Sequence, residues 1–326
     1  DWIIGELKAT RKLNKDGSRP VGYGLMPSGM ATDGDTGRLV VKTDNFTLWG
    51  LKKFSALLCE LRHQRAEEIN KETELYTKDI LRAVEHITRS DGFIERKISV
   101  KGEKIHSKFD YVSGSQQLFF TGVLDTDYER MADFVKYWEN NIADGPFMGK
   151  MDREVVYIGN SEYYWHDIYL KLGEWKKAFL AFQTYMKYGM TEETFIIQER
   201  FSKRNPAYTP YQPNGSGCGR LIDMMLKSFY FEHKEEVVLL AGIPFAWLKD
   251  NVKTALKGLY VARGRVSLEA SMQKGDKCRL ILSTDNPSAM PRKIKIPEFF
   301  VVESVSDGVR WEKNIFILPA CMISVE

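Results

Sequence analysis

Apolar positions in the first two thirds of the chain recur at intervals of three and four. Over 45–61, Leu51, Phe54, Leu58 and Leu61 make one stripe, the spacing of an amphipathic helix. A second stripe, Tyr76, Ile80, Ala83 and Ile87, predicts a helix over 72–88, with Asn70 and Asp91-Gly92 as start and stop signals. The pattern returns over 127–139 through Tyr128, Met131, Val135 and Trp138, and over 174–187 through Trp175, Phe179, Phe182 and Met186. Shorter helices are expected behind capping residues: Ser113 or Ser115 before 116–124, Asn160 or Ser161 before 163–172, and Ser216 before 220–231. Each of these, and the helix at Asn45, follows a long polar, glycine-rich loop (15–44, 89–114, 141–160 and 188–216), whereas the other helices follow short turns. Long ordered loops leaving one side of stacked helical hairpins build a cleft. The spacing of the hairpins is too irregular for a solenoid, so a closed toroid is expected.

From Glu236 the period changes to two. Val266, Leu268, Ala270 and Met272 alternate with Ser267, Glu269 and Ser271, the signature of a half-buried strand. Similar runs at 237–241, 279–283, 293–296, 299–305, 314–318 and 321–325 are split by Gly-Asp, Asn-Pro and Asp-Gly turns. The expected fold is therefore multidomain α and β: an (α/α) hairpin toroid carrying the cleft over 1–235, then a small antiparallel β-sandwich over 236–326.

Composition narrows the function classes. The chain has 326 residues, 47 basic and 44 acidic, and a net charge of +3 spread without like-charge blocks, which argues against nucleic acid and membrane as partners. No apolar run is long enough to span a bilayer, and the start at Asp1, without an initiator Met, reads as a cut, natural or engineered. Aromatic residues, including 7 Trp and 15 Tyr, supply flat rings of the kind that stack on sugar faces. Cys59, Cys218, Cys278 and Cys321 lie far apart, without C-x-x-C spacing, and read as buried free thiols. The five histidines show no paired spacing for zinc, and no G-x-G-x-x-G, P-loop or G-x-S-x-G motif occurs in context. Neither a metal nor a nucleotide cofactor is expected.

Several strings resemble the six-hairpin glycosidase superfamily. One runs from Gly24-Leu25-Met26-Pro27 through Asp33-Gly34-Asp35 to Asp44-Asn45-Phe46-Thr47-Leu48-Trp49-Gly50-Leu51. A second is Gly159-Asn160-Ser161-Glu162-Tyr163-Tyr164-Trp165, with Leu172-Gly173-Glu174-Trp175 behind it. A third, Val237 to Leu248, resembles the join between toroid and C-terminal sandwich in these enzymes. The resemblance implies a carbohydrate substrate, hydrolysis of oligo- or polysaccharide, and a periplasmic or secreted setting. About four hairpins plus a helix end at Asp1 to Leu13 are present, so the resemblance also implies that part of the toroid lies upstream.

Glycoside hydrolysis needs two carboxyl groups on opposite sides of the scissile bond. The rim loops offer Asp33, Asp35 and Asp44, then Asp110, then Asp152 and Glu162, and finally Glu199. Glu162 is the first candidate for the acid, because Tyr163, Tyr164 and Trp165 offer surroundings that raise a carboxyl pKa. Its alternative role is to offset the dipole of the helix it opens. Glu199, beside Arg200, is the candidate base or an ordinary surface pair, and Asp44 is a third catalytic candidate or a helix cap. Sugar stacking falls to Trp49, Trp165, Tyr208 and Tyr211, and hydroxyl recognition to Asp33, Asp35, Asn45, Asp110, Arg200, Gln212 and Asn214. Two other readings share this pattern. A polysaccharide lyase would rely on His166, Tyr164 and Arg200, and a non-catalytic carbohydrate-binding protein would keep the fold alone.

Overall fold

The computed structural model describes residues 1–32, 35–38, 40–98, 114–144, 148–150, 155–157, 161–202, 212–243, 247, 253–261, 264–272, 277–319 and 324–325. Helices and largely antiparallel sheets both contribute. The chain forms two compact units, Asp1–Tyr164 with Arg200–Tyr211, and Trp165–Glu199 with Gln212–Glu326.

The first unit opens with α1 (Trp2–Thr10) and is organised on the hairpin of α2 (Asn45–Glu60) and α3 (Ala66–Ile87). Leu51 and Leu58 of α2 are buried, while Phe54 and Leu61 are exposed. At about 100° per residue, Leu58 lies about 20° from Leu51, whereas Phe54 and Leu61 swing about 60° and 80° away. Helix α3 begins six residues before the expected 72, because Ile69 and Thr73 continue its buried stripe and Glu67 and Glu68 offset its dipole. Arg11, just past α1, ties that helix to α3 by ion pairs of 2.6 Å to Glu72 and 3.3 Å to Asp79. Next come α4 (Gln116–Phe120), which ends four residues before the expected 124, and α5 (Met131–Asn141).

Three of the loops, the first, third and fourth, carry short strands that no periodicity announced. In the first, β1 (Gly29–Thr32) pairs with β2 (Asp35–Gly37), and a π-helical turn over Val40–Asp44 then leads into α2. In the third, β3 (Ala143–Asp144), β4 (Met148–Lys150) and β5 (Val155–Tyr157) form an antiparallel sheet that β6 (Arg200–Ser202) completes. Strands of two to four residues are too short to show alternation.

Helix α6 (Ser161–Leu172) leads into the second unit, which holds α7 (Trp175–Tyr188) and α8 (Gly215–Phe229). Helix α8 starts five residues before the expected 220, and its cap is Asn214 rather than Ser216: the Asn214 side chain accepts from Gly217 N–H at 3.0 Å. Then come β7 (Tyr230–His233), β8 (Glu236–Leu239), β9 (Lys253–Val261), β10 (Gly264–Met272), β11 (Cys278–Thr284), β12 (Lys293–Lys295), β13 (Arg310–Glu312), β14 (Ile315–Ile317) and β15 (Ser324–Val325). They form two sheets, in the orders β15-β11-β10-β9 and β13-β14-β12-β8-β7, with β12 and β8 the parallel pair. Val266, Leu268, Ala270 and Leu282 of the first sheet join Tyr230, Val237, Leu239, Ile294 and Phe316 of the second in one apolar cluster. Trp247 packs against that cluster and stacks on Phe229 of α8 at 5.8 Å.

Two expectations fail here. The run 299–305 is not a strand: Asn314 Nδ2 donates to the carbonyls of Pro297 and Phe300 and pins the segment as a loop, leaving Val301 89% exposed. The cysteines are not buried either, since Cys59 and Cys218 are exposed and Cys278 is half-buried; Cys321 lies outside the described residues. Thiols at outward helix positions are simply not covered by the packing of α2 and α8. No helix is long and apolar enough to cross a membrane among the described residues.

Candidate functional site

The first unit concentrates unusual polar chemistry at the start of α2. Asp44, the last residue of the π-helical turn, is fully buried. It does not cap α2. Its Oδ1 instead accepts from the Met26 amide at 2.7 Å and the Tyr76 hydroxyl at 2.6 Å, one partner from the preceding loop and one from α3. Gly24 lets that loop approach: it adopts φ +71°, and a β-carbon there would meet the Asp79 carboxylate at 1.9 Å.

Asp44 Oδ2 finds no hydrogen-bond partner among the described residues. Burial drives the Asp44 pKa up to about 6, against the opposing pull of the two hydrogen bonds and of the Arg38 charge. The same burial, together with the adjacent carboxylate, pushes the Tyr76 hydroxyl above its ordinary value and keeps it a proton donor.

Asn45 and Gln117 extend the polar block. Asn45 is fully buried and its side chain bonds the Thr121 hydroxyl at the end of α4, which also lies 3.0 Å from the Gln117 carbonyl. Asn45 Nδ2 and Gln117 Oε1 are buried without a partner among the described residues. Each amide has one unmatched end whichever way it is turned.

An aromatic row lies along the same elements. Phe46 meets Trp49 at 6.2 Å, Trp49 meets Phe120 at 6.1 Å, and Phe120 meets Tyr163 and Tyr164 at 5.1 and 5.3 Å. Trp49 is 37% exposed, so part of its ring is open to solvent.

The remaining candidates fall in different places. Glu162 occupies the first turn of α6, Asp35 opens β2 and Arg200 opens β6. Glu199 is half-buried just before β6, and Gln212 is exposed. Trp165 is fully buried against Tyr169 at 5.3 Å, which leaves no face open to a sugar ring. Asn214 spends its carbonyl on capping α8. Asp33, Asp110, Asp152, Tyr208 and Tyr211 lie outside the described residues. Sequence reasoning missed Tyr76 and Gln117. Tyr76 stood in an apolar stripe, and the position of Gln117 just after the Ser115 cap was the only signal it had.

A second buried polar cluster sits in the second unit. Ser228 donates to the Met224 carbonyl at 2.8 Å, so His166 Nε2–H, 3.3 Å away, is the donor to Ser228 Oγ. Burial, then the nearby Lys227 charge, drives the His166 pKa down to about 3 and holds the ring neutral. Asp167 is buried between Lys171 and Lys227, both at 2.8 Å. Burial alone would raise its pKa, but the two ammonium groups outweigh that and hold it below the usual range. The serine proton is committed to a helix carbonyl, so this arrangement does not activate a nucleophile. No family model and no curated protein matches the chain.

Proposed function

We propose that the chain is a glycoside hydrolase of the six-hairpin type, with the α-hairpins as a toroid, the two sheets of the second unit as a sandwich, and the cleft at the starts of α2, α4 and α6. The observation that carries the reading is Asp44. A carboxyl group held protonated to about pH 6, with one oxygen fixed by Tyr76 and Met26 and the other uncommitted, has the properties of a general acid. The neighbouring aromatic row supplies stacking surface for sugar rings.

In this mechanism Asp44 Oδ2–H gives its proton to the glycosidic oxygen as the C–O bond breaks. Glu162, one residue before Tyr163 of the aromatic row, is the second carboxylate. It either takes a proton from the water that attacks the anomeric carbon or attacks that carbon itself.

The test is release of reducing ends from a polysaccharide panel by wild type, Asp44→Asn and Glu162→Gln, with unsaturated products followed in parallel. Asp44→Asn is expected to lower kcat by about 10²–10⁴-fold. The wild-type rate is expected to fall as pH rises through about 6. Full activity in a folded Asp44→Asn variant removes Asp44 from the chemistry, unsaturated ends indicate a lyase, and no product from any substrate indicates a binding protein.

A further inference from the structure

One face of α2 is apolar and uncovered. Leu48, Leu51, Ser55 and Leu58 turn another side of the helix inward. On the open face Phe54 and Leu57 are each 49% exposed, and Leu61, which caps the helix with helical backbone angles, is 67% exposed. Gly50, one turn before Phe54, is exposed as well, and a β-carbon there would meet nothing within 4 Å. At about 100° per residue these four positions fall within an arc of about 60°. Large apolar side chains grouped in one exposed stripe, rather than scattered singly, mark an interaction surface.

The spacing of the stripe and the charges along it select the occupant. From Gly50 through Phe54 and Leu57 to Leu61 the steps are four, three and four residues, a sequence of steps that reads the same in both directions. Two copies of α2 laid antiparallel about a two-fold axis therefore register on each other, Phe54 against the partner's Leu57 and Gly50 against the partner's Leu61. Lys53 and Glu60 border the stripe on one side, seven residues apart and so on the same face. Both are exposed, and neither makes an ion pair among the described residues. In the antiparallel arrangement Lys53 lies opposite the partner's Glu60, and the two-fold axis repeats the contact. A parallel pair would leave the two charges about 10 Å apart along the axis.

We propose that this face of α2 pairs with the same face of a second copy of the chain in an isologous dimer. The pairing is independent of the carbohydrate reading. Three apolar side chains and a glycine from each copy make a small interface, so the dimer exchanges with monomer rather than being permanent.

The test is sedimentation of the full chain over about 1–200 μM, a range suited to a weak interface, where monomer is expected to give way to dimer. Leu57→Glu is expected to raise the dimer Kd by at least about tenfold with unchanged far-UV circular dichroism, because Leu57 is open in the monomer. Should the glutamate disturb the helix, Leu57→Ser reads the same contact. Lys53→Glu and Glu60→Lys each turn two attractions into two repulsions and are each expected to weaken the dimer by about tenfold. Combining them exchanges the charges and is expected to restore the wild-type Kd to within about threefold, a rescue that a merely structural role would not produce. Monomer at every concentration, an assembly larger than a dimer, or a dimer indifferent to both Leu57 substitutions overturns the proposal. A dimer that Leu57→Glu breaks but that the charge exchange does not rescue overturns it too, since the two-fold antiparallel register is then wrong.

Discussion

Asp44 and His166 are both buried, yet they answer pH in opposite directions. Asp44 has a folded pKa of about 6, above that of an exposed carboxyl. Its contribution to stability is therefore complete below about pH 4 and is lost as pH rises through 6, a cost of about 3 kcal/mol for holding the charge in place. Asp44→Asn keeps the shape and both accepted hydrogen bonds, so the variant is expected to lose this part of the pH dependence. Urea unfolding at pH 4.5 and 7.5 reads it. A wild-type-like difference between the two pH values in Asp44→Asn would reject the assignment. His166, with a folded pKa of about 3, contributes stability above pH 6.5 that is lost on acidification, because the buried ring resists protonation. His166→Gln, which can still donate to Ser228, is expected to flatten the loss between pH 6.5 and 5. Sequence pattern brought Asp44, Asn45 and Trp49 forward because they follow a long loop. It did not bring Tyr76 or Gln117, since Tyr76 reaches Asp44 from 32 residues away and Asn45 meets Thr121 across 76.

The long helices and most strands of the second unit were legible, and the short strands inside the loops were not. The helices α2, α3, α5, α6, α7 and α8 were each found, with ends shifted by up to six residues, because a buried stripe repeats over several turns in each. Strand β10 was found almost whole, since Val266, Leu268 and Ala270 all enter one core. Strand β9, at the edge of its sheet, was missed: its residues are exposed or half-buried, without the full burial that makes alternation visible. The opposite error fell on 299–305, where an apolar run turned out to be loop. A contrast tests both points. Leu268→Ala is expected to cost about 2–4 kcal/mol, because it opens a cavity in the apolar cluster. Val301→Asp is expected to change stability by less than about 0.5 kcal/mol. Equilibrium unfolding of the two variants checks this, and a large loss in Val301→Asp would mean that the segment is packed.

At the scale of the molecule, each compact unit draws on separated parts of the chain. A fragment 236–326 contains most of the strands, but it lacks β7, which pairs with β8, and Tyr230 and Phe229, which pack in the apolar cluster. It is expected to aggregate or to melt without cooperativity, as circular dichroism and size-exclusion chromatography would show, and a sharp melt would prove the ninety-odd residues self-sufficient. Periodicity along the chain determined where long helices give way to strands, since burial on one face imposes a repeat of 3.6 or 2 whatever the partner. It also placed the polar loops, because turn residues act locally. What filled those loops, which half of the α2 stripe was covered, and how Asp44 came to keep its proton were decided by tertiary structure. Each depends on groups distant in sequence being brought together: β6 closing the sheet begun by β3, Tyr76 and Met26 meeting on one carboxyl oxygen, and Thr121 reaching back to Asn45. Burial and the proton affinity that follows from it are properties of those meetings, and no local pattern encodes them.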